Sequence, residues 1–298
     1  MASPELEQAI AMFRAGKAET QAFTTVEEFR VWYEQFTGQF ELPEDAVFEQ
    51  VGAGGVSAEW ISTPGVSEDR VVMYLHGGGY MIGSMRTHRS PLSYLSRVSG
   101  ARVLGLNYRL APEHPFPAAV EDSVAAYRWL LSEGISPRRI VIGGDSCGGG
   151  LTIATLVALK YFGYPLPAGG ISHSGWTDLA HTGDSFATKA EVDPLIDKEM
   201  LEGMAAAYLG DRSRTTPLAS PYYADLRGLP PLLVQVGTAE VLLDDSLRMA
   251  DRAKEAGVDV TLEVWDDMPH VWQAFASFLP EARQALESCG EFVKKHTG

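Results

Sequence analysis

The segment GGDSCGGG, residues 143–150, contains two side chains that could act as nucleophiles, Ser146 and Cys147. It follows the strand-like run RRIVIGG and precedes an apolar helical run. Residues 144–148 fit the pattern GxSxG, in which a sharp strand-to-helix turn presents a serine. Centring this pattern on Cys147 would require glycine where Asp145 stands. The spacing therefore predicts Ser146 as the nucleophile, flanked by glycines because the turn has no room for larger side chains.

The same glycines could instead indicate a nucleotide-binding loop. A dinucleotide fingerprint beginning at Gly148 and Gly150 would need a third glycine at Ile153. A phosphate loop beginning at Gly144 would need lysine at position 150. Because neither residue is present, the segment is interpreted as a turn that carries a nucleophile.

A serine nucleophile needs N–H donors for the negative charge that develops during acyl transfer. The sequence HGGGY, residues 76–80, closes the strand-like run RVVMYLHGG, and its glycines let backbone N–H groups face a cavity. The predicted oxyanion hole consists of the N–H groups of Gly78, Gly79 and Cys147. The last of these begins a helix, whose dipole favours a negative charge.

The base that activates Ser146 is expected late in the chain, because hydrolases with such a turn have the order serine, acid, histidine. His270, in DDMPHVWQ, follows the last strand-like run and fits that order. Other histidines fit less well, since they precede the serine, lie in a strand or an inserted segment, or end the chain: His88, His114, His173, His181 and His296.

A carboxylate should orient the histidine, and three candidates follow the strand-like run PLLVQVG in the sequence TAEVLLDDS: Glu240, Asp244 and Asp245. Asp244 and Asp245 also fit the start of the next helix, which is a sufficient structural reason for them. Glu240 lies closest to the strand end. It is therefore predicted as the orienting acid, with Asp244 as the remaining alternative.

Strand-like and helical runs alternate along the chain, which predicts an α/β fold with a mostly parallel sheet covered by helices. The strand-like runs are nearly continuous in apolar residues, as strands buried on both faces require. They comprise residues 70–78, 101–108, 138–145, 168–176, 231–237 and 260–266, and the helical runs comprise residues 121–134, 147–163 and 244–257.

Two helical segments, residues 1–45 and 178–217, interrupt this alternation. They are predicted to form one cap over a catalytic domain made of residues 46–177 and 218–298. Apolar cap residues could form the wall of a substrate pocket, although apolar residues at helical spacing equally fit packing within the cap. The candidate pocket residues are Phe13, Phe23, Trp32, Leu201 and Met204 of the cap, together with Tyr80.

Composition excludes several classes of function. The 298 residues include 24 Lys and Arg against 39 Asp and Glu, a net charge of -15, which disfavours nucleic acids and strongly anionic substrates. No stretch approaches the ~18 apolar residues of a membrane span, so no integral membrane association is expected. Only two cysteines occur and no histidine cluster has metal-ligand spacing, which predicts a reducing, cytoplasmic location and no metal.

Five motifs together resemble the hormone-sensitive-lipase group of α/β-hydrolases, which are bacterial esterases. They are HGGGY (76–80), YRLAPEHPFPAA (108–119), GDSCGGG (144–150), VGTAEVLLDDS (236–246) and MPH (268–270), in this order over roughly two hundred residues.

The resemblance implies an eight-stranded, mostly parallel sheet with a helical cap and a triad of Ser146, Glu240 and His270. It further implies hydrolysis of short- to medium-chain carboxylic esters without a cofactor, and a homodimer formed through the last strand. His76 and Asp145 are expected to brace the oxyanion loop and the turn by hydrogen bonds, although ordinary turn chemistry would also explain them.

The chain departs from the family pattern at two positions. Cys147 stands where the family usually has alanine, and a thiol beside the nucleophile is expected to make the enzyme sensitive to thiol reagents. The acid is glutamate, where aspartate is more common. Two alternative functions remain: an amidase, lactonase or deacetylase with the same triad, and a non-catalytic ligand receptor on the same scaffold.

Overall fold

A computed structural model describes residues 3–298, and in this part of the chain eight strands form one sheet. Across the sheet the strands lie in the order β1, β2, β4, β3, β5, β6, β7 and β8. In chain order they are β1 (Val47–Ala53), β2 (Val56–Ser62), β3 (Ser67–Leu75), β4 (Ala101–Asn107), β5 (Ile140–Asp145), β6 (Gly169–His173), β7 (Leu232–Gly237) and β8 (Val260–Trp265).

The six strands from β3 to β8 pair in parallel, whereas β1 pairs with β2 and β2 with β4 in antiparallel fashion. This confirms the predicted α/β class with a mostly parallel, eight-stranded sheet. The central strands are covered on both faces: all six residues of β5 and of β7 are buried. In β3, Val71 and Met73 belong to one core, and Val72 and Tyr74 belong to the other.

The strands β1 and β2 were not identified from apolar runs, although the family resemblance implied eight strands. The sequence of β1, VFEQVGA, lies at the sheet edge, and most of its residues are exposed or half-buried. An edge strand with solvent on one side needs no continuous apolar run. The adjacent Gly54 and Gly55, both with positive φ, form the turn to β2.

Among residues 3–298, nine α-helices cover the sheet and its carboxyl edge. They are α1 (Pro4–Thr20), α2 (Val26–Thr37), α3 (Met85–Ser99), α4 (Ala118–Ser132), α5 (Cys147–Tyr161), α6 (Ser185–Thr188), α7 (Lys198–Leu209), α8 (Leu243–Glu255) and α9 (Pro280–Thr297), with short 3-10 helices at Pro137–Arg139, Pro221–Tyr223 and Trp272–Phe275.

The helices bury their apolar residues in two cores. Residues of α4, α5 and α8 pack with β3 and β5 in one core, while residues of α3 and α9 pack in the other. α5 is buried along its length from Cys147 to Leu159, as expected for a helix enclosed by the sheet and by neighbouring helices.

The two segments predicted to form a cap contain α1 and α2, and α6 and α7, respectively. Residues 178–217 are less helical than predicted, because α6 has only four residues and loops surround it. Lys17 of α1 forms an ion pair of 2.9 Å with Asp197, the N-cap of α7, so the two segments contact each other. Their assignment as one cap stays a prediction.

None of the helices formed by residues 3–298 combines the length and the apolar character that a membrane crossing requires. Within the same residues, no three His, Cys, Asp or Glu side chains are grouped so that they could hold a metal ion.

Candidate active site

Ser146 occupies the sharp turn between β5 and α5, with φ of 54° and ψ of -124°. A serine with positive φ is strained, and the surrounding backbone must hold it. The Ser146 N–H donates to the carbonyl oxygen of His173 (2.8 Å), and its own carbonyl oxygen accepts from the N–H of Trp176 (2.8 Å). These bonds to the end of β6 and to the segment after it fix the turn, and Ser146 lines a cavity.

The glycines around Ser146 are required because other backbone segments pack closely against them. This confirms the sequence prediction that the turn has no room for larger side chains. A Cβ on Gly148 would lie 1.9 Å from the carbonyl oxygen of Leu75, at the end of β3. A Cβ on Gly144 would lie 2.3 Å from the carbonyl oxygen of Gly148. Both obstacles are backbone atoms, so neither site can accept a side chain without a shift of the strands.

The loop of residues 76–80, which the sequence predicts to supply oxyanion donors and which we call the oxyanion loop, lies beside Ser146. Gly78 and Gly79 have φ values of 111° and 60° and line the same cavity as Ser146. The backbone N–H of Cys147 belongs to the first residue of α5. The three predicted donors therefore come from two neighbouring segments, the oxyanion loop and the start of α5. Because Gly78 and Gly79 have no side chains, their own residues leave the backbone open to the cavity.

The Cys147 thiol points away from the cavity. Its Sγ accepts from the N–H of Tyr80 (3.2 Å) and lies 3.7 Å from the hydroxyl of Tyr108. The residue is fully buried, and burial raises the pKa of the thiol to about 12. The expected sensitivity to thiol reagents is therefore wrong for the folded protein, because the thiol is both inaccessible and protonated.

His270 and Glu240 form a buried pair next to the cavity. Nδ1 of His270 donates to Oε2 of Glu240 (2.8 Å), while Oε1 of Glu240 accepts from the Ser174 hydroxyl (2.8 Å) and the Gly237 N–H (2.7 Å). Burial lowers the pKa of His270, but the hydrogen bond and negative charge of Glu240, together with the charges of two aspartates, outweigh it, so the net pKa is raised. Since Nδ1 is committed to Glu240, Nε2 is the nitrogen available for proton transfer.

The two alternative acids have other partners. Oδ2 of Asp244 accepts from the Ser185 N–H (2.9 Å). Oδ2 of Asp245 accepts from the N–H groups of Thr177 and Asp178, both at 2.9 Å. Both aspartates therefore bind backbone of the segment that follows β6, and it is Glu240 that contacts the histidine.

Asp145 and His76 both contact the oxyanion loop. Oδ1 of Asp145 accepts from the Gly77 N–H (3.1 Å) and from the Tyr74 hydroxyl (3.0 Å). Nδ1 of His76 donates to the Gly77 carbonyl oxygen (2.7 Å), and its ring stacks on that of Tyr108 at 4.3 Å. These contacts are the kind of bracing that the family resemblance implies.

A largely apolar cavity of about 100 Å³ opens beside Ser146 and His270. Of the candidate pocket residues, Phe13, Trp32, Leu201 and Met204 line it, whereas Phe23 does not. Tyr80 does not line it either: its ring stacks against Tyr208 at 3.7 Å. The prediction of Tyr80 as a substrate contact is wrong, because the last residue of the loop turns into the core.

Several cavity residues were missed from the sequence. The helix α2 and the turn after it contribute an aromatic stripe in which side chains recur every three or four residues. The segment before α7 and the first turn of α7 add aliphatic residues and a methionine. The helical spacing of the aromatic residues in FRVWYEQFTGQF was the available signal. The missed residues include Phe29, Tyr33, Phe36, Phe40, Leu195, Ile196 and Met200.

Comparison with known proteins agrees with this site. A family model described as alpha/beta hydrolase fold matches residues 72–274. The acetyl-hydrolase of Streptomyces hygroscopicus is 44% identical over 301 aligned residues, covering 100% of this chain and 99% of that protein. The esterase of Acinetobacter venetianus is 38% identical over 240 residues, covering 80% of this chain and 79% of that protein.

Among solved structures, an esterase from the bacterial hormone-sensitive lipase family has a TM-score of 0.98 and 56% identity, with 100% of both chains covered. A hormone-sensitive lipase from a metagenome library has a TM-score of 0.94 and 38% identity, with 98% of both chains covered. The chain therefore belongs to the α/β-hydrolase family. The resemblance to its hormone-sensitive-lipase group, inferred from five motifs, is confirmed.

Proposed function

We propose that this protein is a serine carboxylesterase that hydrolyses short- to medium-chain carboxylic esters through an acyl-enzyme on Ser146. The observation that carries the proposal is the hydrogen bond between His270 and Glu240 at a cavity lined by both His270 and Ser146. The esterase and acetyl-hydrolase names of the relatives support ester bonds as the target.

In the first half-reaction, Nε2 of His270 takes the proton of the Ser146 hydroxyl as its oxygen attacks the ester carbonyl. Glu240 fixes the histidine tautomer and stabilises the imidazolium that forms. The oxyanion is held by the N–H groups of Gly78, Gly79 and Cys147. His270 then returns its proton to the leaving alcohol, and the acyl group stays on Ser146.

In the second half-reaction, water takes the place of the alcohol. His270 removes a proton from the water, the hydroxide adds to the acyl carbonyl, and the same N–H groups hold the second oxyanion. Collapse of this intermediate breaks the bond to Ser146, whose oxygen regains its proton from His270. In both half-reactions His270 transfers the proton, and the backbone N–H groups stabilise the oxyanion.

The cavity supports an uncharged substrate of limited length. Its walls are mainly aromatic and aliphatic, and they come from α1, α2 and α7 as well as from the oxyanion loop. In this proposal residues 1–45 and 178–217 act as a cap that supplies the apolar wall, while residues 46–177 and 218–298 supply the catalytic groups. The enclosed volume favours short acyl chains.

The proposal is tested by hydrolysis of p-nitrophenyl esters from acetyl to palmitoyl. The wild type should prefer the short chains, and Ser146→Ala should lose activity by at least ~10³-fold while remaining folded. Cys147→Ala, which changes the neighbouring side chain but leaves the N–H, is the matched control and should keep most of the activity. Failure to cleave any ester, or full activity of Ser146→Ala, would contradict the proposal.

The alternative functions are separated by the same assay with different bonds. An amidase would cleave the p-nitroanilide of the preferred acyl group at a rate comparable to the ester, whereas the proposed esterase should not. A lactonase or deacetylase would prefer a lactone or an acetylated amine or sugar. A receptor would bind a substrate analogue and leave every ester intact.

We also infer a homodimer and a cytoplasmic location. The dimer rests on β8, which lies at one edge of the sheet, where a second copy could pair with its backbone. The location rests on Cys147 and Cys289, both free and buried. Light scattering after size-exclusion chromatography tests the dimer, and cell fractionation tests the location.

A further inference from the structure

Asp193 is a buried carboxylate that the proposed cycle does not use. It lies in the segment between α6 and α7 and is 5% exposed. Burying a carboxylate costs free energy unless hydrogen bonds compensate for the lost water. The partners of Asp193 supply that compensation, and they come from two segments that are far apart in the chain.

The first partners of Asp193 lie in its own segment. Oδ1 accepts from the N–H groups of Leu195 (2.9 Å) and Ile196 (3.0 Å), which makes a local turn of the kind that aspartate and asparagine both favour. Leu195 and Ile196 line the cavity beside Ser146. This turn therefore shapes one wall of the cavity.

The other partner of Asp193 adjoins the predicted acid. Oδ2 accepts from the Val241 N–H (2.8 Å), which belongs to the peptide bond between Glu240 and Val241. The carbonyl oxygen of Val241 accepts from the Ser185 hydroxyl (2.6 Å). Side chains from residues 178–217 therefore bind both backbone polar groups of the residue that follows Glu240.

The two contacts of Asp193 together require a carboxylate. All three of its partners are N–H donors, and an ionised carboxylate satisfies each of them. A carboxylate accepts at both oxygens, whereas an asparagine amide accepts at its oxygen and donates at its nitrogen. Asparagine could form the turn, but it could not at the same time accept from Val241.

We propose that Asp193 is a positioning residue that holds the Glu240 backbone and the cavity wall after Asp193 in one fixed arrangement. Glu240 in turn orients His270 through a hydrogen bond of 2.8 Å. A shift of the Glu240 backbone would move the base relative to Ser146, and small displacements of this kind cost large factors in rate. This role rests on the proposed esterase function.

The charged groups that act on His270 include Asp193. Burial lowers the pKa of His270, whereas the hydrogen bond and charge of Glu240 and the charges of Asp193 and Asp145 raise it, and the net pKa is raised. Burial raises the pKa of Asp193, and the charge of His270 and the N–H donors offset this only in part. Loss of the charge of Asp193 should therefore lower the pKa of His270.

Asp193→Asn separates the two contacts. Its amide oxygen can still accept from Leu195 and Ile196, but its amide nitrogen then faces the Val241 N–H, so that two donors meet. The variant should lower kcat by about tenfold and move the acid limb of the pH profile of kcat/KM to lower pH. A residue that only forms the turn would tolerate asparagine, so an unchanged kcat and acid limb would overturn the proposal.

Asp193→Ser is a second variant with a different side chain. Its hydroxyl oxygen can accept within the turn, but one oxygen cannot bind both segments at once. It should show the same two effects as Asp193→Asn.

The matched control is Asp244→Asn. Asp244 also joins the segment after β7 to residues 178–217, but it accepts from the Ser185 N–H (2.9 Å) rather than from the peptide of Glu240. This variant should keep kcat within about threefold and leave the acid limb in place. Equal effects of the asparagine substitutions at 193 and 244 would overturn the proposal.

Urea denaturation of each variant separates this role from a contribution to stability. Asp193 variants that do not fold while Asp244→Asn does would assign Asp193 to stability alone, and would also overturn the proposal. A wild type that cleaves no ester would refute the esterase function. An active wild type together with Asp193 variants of normal kcat and normal acid limb would refute only the role of Asp193.

Discussion

The Cys147 thiol lies directly after the proposed nucleophile and has no access to solvent. We expect the native protein to be unreactive toward a thiol-specific reagent such as dithionitrobenzoate and to keep its activity during the treatment, because the thiol is buried with a pKa raised to about 12. Cys289, also buried, should be equally protected. Two thiols should react after denaturation, and loss of activity in the native state would contradict this account.

The pair of His270 and Glu240 sets the acid limb of the pH profile. The base must be neutral, and the pKa of His270 is raised, so kcat/KM should fall as the pH drops through a value above the usual 6.5. In Glu240→Gln the effect of burial remains while the negative charge is lost. Its residual activity should therefore titrate at lower pH, with kcat reduced by up to ~10⁴-fold.

Glu240→Asp is the control for that change, because it keeps the negative charge on a side chain that is one methylene shorter. It should keep the acid limb near the wild-type pH even if kcat falls. An acid limb that does not move in Glu240→Gln would contradict the role of Glu240.

Chain order and motif context restrict each position of the predicted triad to few candidates. The structure places the predicted Ser146 and His270 at one cavity, with Glu240 2.8 Å from His270. Sequence order could not predict the direction of a side chain. Tyr80 follows the glycines of the oxyanion loop, but with φ of 63° its ring turns into the core against Tyr208. Cys147 is also adjacent to Ser146 in sequence, yet its Sγ binds the far side of the oxyanion loop.

The close packing of α5 against the ends of β3 and β5 depends on glycine. Gly148→Ala places a Cβ 1.9 Å from the Leu75 carbonyl oxygen, where no flexible side chain can move away. We expect a loss of about 3 kcal/mol in the free energy of unfolding, measured by urea denaturation, together with a large loss of kcat.

The matched control is Gly203→Ala in α7. Gly203 is exposed, and no atom lies within 4 Å of the position that an alanine Cβ would take. Alanine should therefore stabilise the protein by about 0.5–1 kcal/mol through its higher helix propensity. Equal tolerance of alanine at both sites would contradict the packing of the turn.

The apolar runs of the sequence identified six of the eight strands, β3 to β8. The strands β5, β6 and β7 are buried along their whole length, whereas the edge strand β8 has no buried residue but is rich in apolar and β-branched residues. The apolar runs missed β1, which is mostly exposed or half-buried, and β2, in which the polar Ser57 and Glu59 interrupt the apolar residues. The helical run predicted over residues 244–257 ends with Gly257, and in the structure this glycine follows α8 with φ of 81°, as is common after a helix.

The cavity is lined by residues from elements far apart in the chain: α1, α2, α7 and the carboxyl edge of the sheet. Trp32 stacks on Phe36 at 5.1 Å and forms part of the wall. Trp32→Ala should enlarge the cavity and raise the ratio of kcat/KM for p-nitrophenyl octanoate to that for the acetate by about tenfold, since each buried methylene contributes about 0.8 kcal/mol.

Phe23→Ala is the matched control, because Phe23 is a neighbouring aromatic residue, 6.2 Å from Trp32 between ring centroids, but does not line the cavity. It should leave the chain-length profile unchanged. The same shift in both variants would mean that loosening of the cap, rather than the size of the cavity, sets acyl preference. This wall could not be predicted in full from the sequence, because it combines residues from segments far apart in the chain.

The most direct test of the central claim is covalent labelling of the nucleophile. The wild type and Ser146→Ala are treated with a fluorophosphonate, and the adduct is located by mass spectrometry of peptides. The account predicts one adduct per chain, on Ser146, with parallel loss of esterase activity and no adduct in the variant. An adduct on another residue, or an unlabelled wild type that still hydrolyses esters, would contradict it.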